Sequence, residues 1–332
     1  MLLIFTLPSC GSWGKKRFEG EFLKLFDTAT LVIGYAKSKG EFAGYVEKIY
    51  DELDTYHKLY DIYNSYEGIN NIKTINDNAG IGPVKVDERI IDLLKFGQRV
   101  HDMSNGSVNI ALGAVLSIWH EYRELGTADS SKAELPPMDI LKFAAEHTDI
   151  RNMIIDETNS TVYLSDPEMS LDVGGIAKGY ATERVSRFII EEGMVDGLIS
   201  VGGNVRAFGH KGSKGKLWNV GVRNPTGNED LYTVRITDKS LVTSGDYIRY
   251  YTVDGKRYHH IIDPDTLMPS DYFEAVTIIC ADSGMADALS TIMFNMPYEQ
   301  GIKFIENLHD TEALWIYKDG TRKYSSGFES MI

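Results

Sequence analysis

The sequence predicts a single α+β domain in which mixed and antiparallel sheets carry helices on their faces. Two patterns predict it. Between residues 39 and 60 apolar side chains recur at helical spacing, through Phe42, Val46, Ile49, Leu53 and Tyr56. From residue 152 onward the chain turns into short runs of β-branched and aromatic residues separated by turn formers. No repeat, low-complexity block or shift in composition divides it, and 332 residues with 43% hydrophobic content are enough to bury a large core. The organisation expected is a leader remnant and tether over 1–20, followed by one domain over 21–332.

The elements follow in order. After a polar, basic tether at 11–20, FLKLFDTATLVIGYA alternates and reads as one strand. The helix 39–60 comes next, then a second at 87–104 (Ile90, Leu93, Leu94, Gly97, Val100) and a third from Pro137 to His147, with a loop around 126–136. MIID and TVYLS form a hairpin, a helix covers 176–192, and GLISVGG, VRAFG, LWNVGVR, YTVRIT and SLVTS are successive strands. Asp254-Gly255 closes a hairpin between YYTV and KRYHHII. The strand EAVTIIC leads into a helix at 283–296, and a last helix and two strands complete the domain.

A formal charge of −14 argues against a nucleic-acid binder, which presents a basic stripe. An acidic chain that handles an anionic ligand needs local compensation, and a divalent cation supplies it. Two cysteines exclude a disulfide scaffold. Cys280 ends an apolar strand and reads as a buried small hydrophobe. Cys10 follows MLLIFTLPS, a short apolar stretch similar to a bacterial lipoprotein box, although the usual basic start is missing. The expectation is lipidation at Cys10, an extracytoplasmic location and membrane attachment through the lipid alone; an unanchored tail is the other reading.

The densest functional signal is SLDVGGIAKGYAT at 170–182. An apolar run ends on Asp172, turns through Gly174 and Gly175 and enters a segment of helix formers, which reads as strand, turn and helix start. Paired glycines permit positive φ and close approach of a ligand, and the free N–H groups of the next helix favour an anion. A nucleotide or phosphate with a metal suits this pattern; so does plain packing of a helix on a strand. In ADALSTIMF (286–294), Asp287 and Thr291 are four apart on one helix face and offer hard oxygens of the kind Mg²⁺ takes. An acid near a helix N-terminus beside an ordinary threonine looks the same. Asp282 reads as a further oxygen ligand or as the helix N-cap. In YHHIIDP, adjacent histidines on a strand face opposite sides, so only one of His259 and His260 meets a given pocket.

Taken together and in this order, the glycine turn, HHIIDP (259–264) and ADALSTIMF resemble the ApbE family of Mg-dependent FAD:protein FMN transferases, and the resemblance runs from about Phe26 to the C-terminus. It implies an ApbE-like fold, FAD as substrate and Mg²⁺ as cofactor, the metal held by Asp287, Thr291 and a backbone oxygen of Gly175. It implies that His260 is the catalytic residue at the flavin diphosphate, with Ile261 beside it, and that Asp172 and Lys178 lie along the nucleotide. It places Phe26 and Tyr60 in the flavin pocket, positions that equally suit core aromatics, and Ser107, Val108 and Asn109 at the adenosine end. Ser244, Asn204 and Arg206 fall in glycine-turn segments that shape the pocket floor.

The implied activity moves FMN from FAD to a threonine hydroxyl of an acceptor flavoprotein in an extracytoplasmic or membrane redox complex, releasing AMP. A Mg-dependent FAD pyrophosphatase or a non-catalytic FAD-binding lipoprotein are the alternatives. Two departures stand out. Leu267 occupies the position where the family has glycine, in a turn that needs positive φ, and Asn109 replaces an acid.

Overall fold

The computed structural model describes the backbone of residues 3–6, and residues 14–212 and 215–332. The chain opens with strands β1 (Leu3–Thr6), β2 (Lys16–Leu23) and β3 (Ala29–Ala36). Helices α1 (Lys39–Tyr60) and α2 (Ile72–Asp77), the short strand β4 (Val84–Lys85) and helix α3 (Glu88–Met103) follow. Next come α4 (Gly113–Ala128), α5 (Met138–Ala145), the hairpin of β5 (Met153–Asp156) and β6 (Thr161–Leu164), and α6 (Ala177–Glu191).

Five strands then run in succession: β7 (Gly197–Val201), β8 (Asn204–Phe208), β9 (Trp218–Arg223), β10 (Asp230–Ile236) and β11 (Lys239–Gly245). The chain finishes with the hairpin β12 (Tyr250–Val253) and β13 (Lys256–His259), strand β14 (Ala275–Cys280), helices α7 (Ser283–Phe294) and α8 (Tyr298–Glu306), and strands β15 (Glu312–Ile316) and β16 (Arg322–Tyr324).

Nine strands form one sheet in the order β1-β2-β3-β7-β8-β11-β14-β15-β16, antiparallel at every pairing. One face packs against α1, α3, α6 and α7 around Phe42, Leu53, Val185 and Leu289, and the other is covered by the β9–β10 hairpin through Trp218 and Val234. This explains the uninterrupted apolar run AVTIIC: Val276, Ile278 and Cys280 enter the first core while Ala275 and Ile279 enter the second. Burial pushes the Cys280 thiol up to about 12, so it behaves as the expected small hydrophobe. A third cluster, built on Leu112, Trp119, Leu141, Tyr251 and Leu267, fastens α4 and α5 to the β12–β13 hairpin.

The predicted helices and the Asp254-Gly255 hairpin lie where the spacing puts them, with Asp254 at φ 50° and Gly255 at φ 78° as a two-residue turn of this type requires. Four points differ. The run FLKLFDTATLVIGYA is two strands, because Lys24, Phe26 and Asp27 take φ of 92°, 52° and 54° and fold a tight turn between them. Strand β2 starts at Lys16, inside the stretch read as a tether; its buried positions Phe18, Gly20 and Phe22 alternate, but Gly20 has no side chain to reveal the period. Helix α4, like the short α2 and β4, occupies a stretch to which the sequence pattern assigns no element. Its apolar face is thin, resting on Val115 and Trp119.

The fourth concerns 170–173, which joins no strand ladder. Its backbone is held by the Asn76 side chain, which accepts from Leu171 N and donates to Leu171 O at 2.8 and 3.0 Å, and by a bond from Asp172 N to Ile110 O at 2.8 Å. No helix among the described residues is long and apolar enough to cross a membrane. Cys10 lies outside the described residues.

Candidate active site

The site forms where α6 and α7 meet, at the mouth of the glycine turn. Gly179 in the first turn of α6 faces Asp287 on α7 so closely that a Cβ there would sit 2.3 Å from the Asp287 Cβ and 2.4 Å from the Ser283 carbonyl oxygen. The contact lets the Gly179 N–H donate to Asp287 Oδ2 at 2.8 Å. Burial raises the pKa of this carboxyl, opposed by Lys178, by the Gly179 N–H and by the amide of Asn204. That amide lies near the carboxylate, yet its Nδ2 completes no hydrogen bond of normal geometry. Thr291 stands one turn beyond Asp287, its hydroxyl 3.4 Å from the Asp287 carbonyl.

Asp282 is a cap rather than a further oxygen of this group. Its Oδ1 accepts from Met285 N at 2.9 Å and its Oδ2 from Arg187 at 3.0 Å, so both oxygens are engaged at the helix start. Neither Gly174 nor Gly175 takes a positive φ, contrary to the reading of the turn from sequence. What glycine supplies is room. A Cβ on Gly174 would come within 3.0 Å of Asp172 Oδ1, to which Gly174 N donates at 2.8 Å, and above Gly175 there is open space.

The two histidines divide as strand alternation requires. His259 is buried, accepts from Ile261 N at Nδ1 and donates from Nε2 to the Ser270 carbonyl at 2.7 Å; burial pushes it down to about 4. His260 turns the other way. Its Nδ1 lies 3.3 Å from the Arg249 carbonyl oxygen, which can only accept, so Nδ1 carries the proton and Nε2 is left as an acceptor. Burial and then the nearby Arg249, Lys178 and Arg123 push the ring down to about 3, so it is neutral at physiological pH until a bound anion offsets those cations.

Leu267 takes φ 59°, the strained geometry expected of a side chain in a glycine position. It is compensated by burial. Leu267 packs in the third cluster, and its carbonyl accepts from Trp119 Nε1 at 2.9 Å, which ties the loop after His260 to α4.

Asp172 shares this recess. Burial raises its pKa, with the Gly174 N–H, His120, Lys178 and Arg123 acting against the rise. Arg123, His120 and Arg249 carry no signal in the sequence pattern. The first two sit on the unpredicted helix α4, where an Arg123 nitrogen lies 2.7 Å from His120 Nδ1, and Arg249 leads into the hairpin. The aromatic that reaches the recess is Tyr63, 55% exposed, its ring 5.2 Å from that of His120 and its hydroxyl under the influence of Asp172. Tyr60 is a correction. It is 4% exposed and donates its hydroxyl to the Arg89 carbonyl, because it is the last residue of α1 and faces the core.

Other sequence candidates lie around these. Phe26 is half-buried in the strained turn, edge-on to His57. Ser107 and Val108 form the loop after α3; the Ser107 hydroxyl is buried without a partner and its carbonyl accepts from Asn295, while Val108 is buried. Asn109 is used internally, donating to Thr148 O and accepting from Ala111 N, which fixes its amide against the neighbouring loop. Ile261 is buried next to His260. Ser244 bonds Ser290, and Arg206 is paired with Glu183, so neither faces the recess freely.

Among the described residues no three His, Cys, Asp or Glu side chains converge on a metal position. The donors at hand are one buried carboxylate, the Thr291 hydroxyl and the open backbone of Gly175. Such a sparse, hard-oxygen set fits Mg²⁺, which keeps waters and takes substrate phosphate oxygens to complete its shell.

Comparison with known proteins agrees with this architecture. The model of the ApbE family matches residues 27–315. The FAD:protein FMN transferase of Treponema pallidum (strain Nichols) is 33% identical over 276 residues, covering 79% of this chain and 74% of that protein. One from Klebsiella pneumoniae (strain 342) is 31% identical over 251 residues, covering 75% of each. Among solved structures, the ApbE protein of Thermotoga maritima superposes with a TM-score of 0.84 at 27% identity, over 95% of this chain and 99% of that one. The flavin transferase ApbE of Vibrio cholerae shares the fold with a TM-score of 0.79 at 21% identity, over 96% of this chain and 100% of that one. A match over most of the chain, with the glycine turn, His260 and the Asp287 helix all inside it, places this protein in the ApbE family.

Proposed function

We propose that this chain is an FAD:protein FMN transferase that esterifies a threonine hydroxyl of an acceptor flavoprotein. The observation that carries the reading is the juxtaposition, in one recess, of an imidazole with a free acceptor nitrogen, the cations Lys178, Arg123 and Arg249, and the buried carboxylate of Asp287. The family relationship supplies the reaction class.

In the proposed reaction the acceptor's hydroxyl oxygen attacks the FMN-side phosphorus. Its proton passes to His260 Nε2, the P–O–P bond breaks, and AMP leaves with the bond's electrons. The Arg249 carbonyl holds the ring in the tautomer that can take that proton. Lys178, Arg123 and Arg249 offset the charge of the diphosphate, which in turn raises the His260 pKa toward a useful value. Asp172 lies along the nucleotide, and Tyr63 offers a ring face for the isoalloxazine or adenine. Asp287 and Thr291, with the Gly175 carbonyl, would hold Mg²⁺, which neutralises charge developing on the diphosphate oxygens. Binding and placement dominate such chemistry, and no covalent enzyme intermediate is required.

Incubation with FAD, Mg²⁺ and a threonine-bearing acceptor domain is expected to give a covalently flavinylated acceptor and AMP in equal amounts. Free FMN produced without acceptor would make the protein a pyrophosphatase, and bound FAD without turnover would make it a carrier.

The same reading includes anchoring through a lipid on Cys10 and an extracytoplasmic location, supported by the Leu-Pro-Ser-Cys sequence that precedes the domain. Metabolic labelling with a fatty acid should mark the full chain and not Cys10→Ser; equal labelling of both would remove the anchor from the proposal.

A further inference from the structure

The turn that carries Phe26 is strained, and one side chain holds it. Lys24, Phe26 and Asp27 all occupy the left-handed region, which side chains other than glycine disfavour. The turn is closed by bonds from Lys24 N to Thr28 O at 3.2 Å and from Thr28 N to Leu25 O at 3.2 Å. Its far side abuts the Gly202 turn, where a Cβ would lie 2.7 Å from Thr28 Oγ1. The Gly202 turn leads directly into Asn204, the neighbour of Asp287. The strained turn therefore stands at the edge of the recess.

The Phe26 N–H donates to His57 Nδ1 at 3.2 Å. A backbone N–H can only donate, so Nδ1 must be unprotonated and the proton of the neutral ring resides on Nε2. That nitrogen faces the Tyr66 hydroxyl at 3.5 Å, and Tyr66 in turn donates to Asp61 Oδ2 at 2.7 Å. The tautomer is thus set from both sides. Asp61 is itself held below the usual carboxylate range by its bonds to Tyr66, Tyr63 and Asn64, which outweigh its burial.

We propose that neutral His57 is a positioning residue that latches the strained 24–27 turn, and with it Phe26, against the flavin, and that its protonation opens the latch. The proposal rests on the reading that Phe26 borders FAD. A proton on Nδ1 would set two donors against each other, and the turn would lose the bond that offsets its strain. Tyr66 faces the ring, and around the Tyr66 hydroxyl lie Asp61 beyond the end of α1, Asp54 (paired with Lys58) on α1 itself, and Asp27 on the turn. Neither Tyr66 nor the carboxylates can replace Nδ1, because none of them bonds the Phe26 amide.

Three proteins test this: the full chain, His57→Ala and His57→Asn, whose Oδ1 stands near the position of Nδ1 and accepts a hydrogen bond at every pH. FAD affinity and hydrogen exchange at the Phe26 amide are measured from pH 8 to pH 5. His57→Ala is expected to weaken FAD about fivefold throughout and to deprotect the amide. The unaltered protein should lose affinity and protection under conditions acidic enough to protonate the ring at Nδ1, because that nitrogen can then no longer accept from the Phe26 amide. His57→Asn should retain both without that loss. His120 remains in all three, so only the difference between profiles reports His57. An unchanged amide in His57→Ala, or a pH profile of His57→Asn that follows the unaltered protein, overturns the latch. No binding of FAD by the unaltered protein overturns the functional reading instead, while amide exchange still decides the latch.

Discussion

Replacing Asp287 with asparagine is expected to slow FMN transfer about 10³-fold, the scale of the several kcal/mol a metal supplies to a phosphoryl transition state, while making the ligand-free protein more stable. Both effects come from one feature. The carboxylate lies in the seam between α6 and α7, and one N–H bond from Gly179 and the pull of Lys178 only partly offset its burial. An acid whose folded pKa is raised favours folding at low pH. That contribution is lost as the pH climbs from the unfolded value through the folded one, and above both the ionised group is a cost.

Asparagine keeps an oxygen for the Gly179 N–H and carries no charge. Its unfolding midpoint should rise by about 2 °C at neutral pH, with the gain shrinking toward acid pH. The midpoint of the unaltered protein should rise when Mg²⁺ and FAD are added together, and that of Asp287→Asn should not respond to the metal. Equal metal-induced shifts in the two proteins would mean that Asp287 does not hold Mg²⁺. A variant less stable than the parent at neutral pH would mean that its charge is better compensated than the geometry indicates.

How much of this site is legible in the sequence depends on how each residue announces itself. Asp287, Thr291 and His260 sit in or beside regular elements, where a spacing of four or a strand alternation states which way a side chain faces, and the structure keeps those directions. Helices α1, α6 and α7 and the Asp254-Gly255 hairpin are equally plain, because period and turn chemistry agree. Tyr60 is misleading for a local reason. It ends α1, and the chain leaves the helix at Asp61, so the next tyrosine, Tyr63, reaches the recess. Arg123 and His120 are invisible because α4 shows only a thin apolar face and is held by contacts distant in sequence, to α5, to the β12–β13 hairpin and to the loop after His260, such as Trp119 to Leu267. The strained turn at 24–27 carries no glycine to mark it. A sequence shows where positive φ is easy and not where it is imposed by packing.

The other large effect concerns stability and should come from Glu183. This residue is buried on α6 and binds three groups: Oε2 accepts from Ser283 N at 2.9 Å and from Arg206 Nε at 3.1 Å, and Oε1 accepts from Arg187 Nε at 2.7 Å. It thereby joins α6 to the first N–H of α7 and to strand β8, which seats the helix that carries Asp287. A negative charge at that N-terminus also opposes the positive end of the helix dipole. Glu183→Ala leaves the Arg206 guanidinium buried with no carboxylate and the Ser283 N–H unsatisfied, so about 3–5 kcal/mol of stability should be lost.

The loss arises from stranding the charge, so it should be recoverable. In Glu183→Leu combined with Arg206→Met, both charges are gone and the volume is filled, and unfolding by denaturant should show a smaller loss than in Glu183→Ala alone. Glu183→Gln should fall between them, since its oxygen can still accept from Ser283 N while the arginine goes unneutralised. If the double variant is as unstable as Glu183→Ala, the cost lies in packing rather than in charge, and the ion pair has no part in anchoring α7. If Glu183→Ala unfolds within 1 kcal/mol of the parent (about a fivefold change in the folding equilibrium), the junction of α6, α7 and β8 is held by its apolar contacts alone.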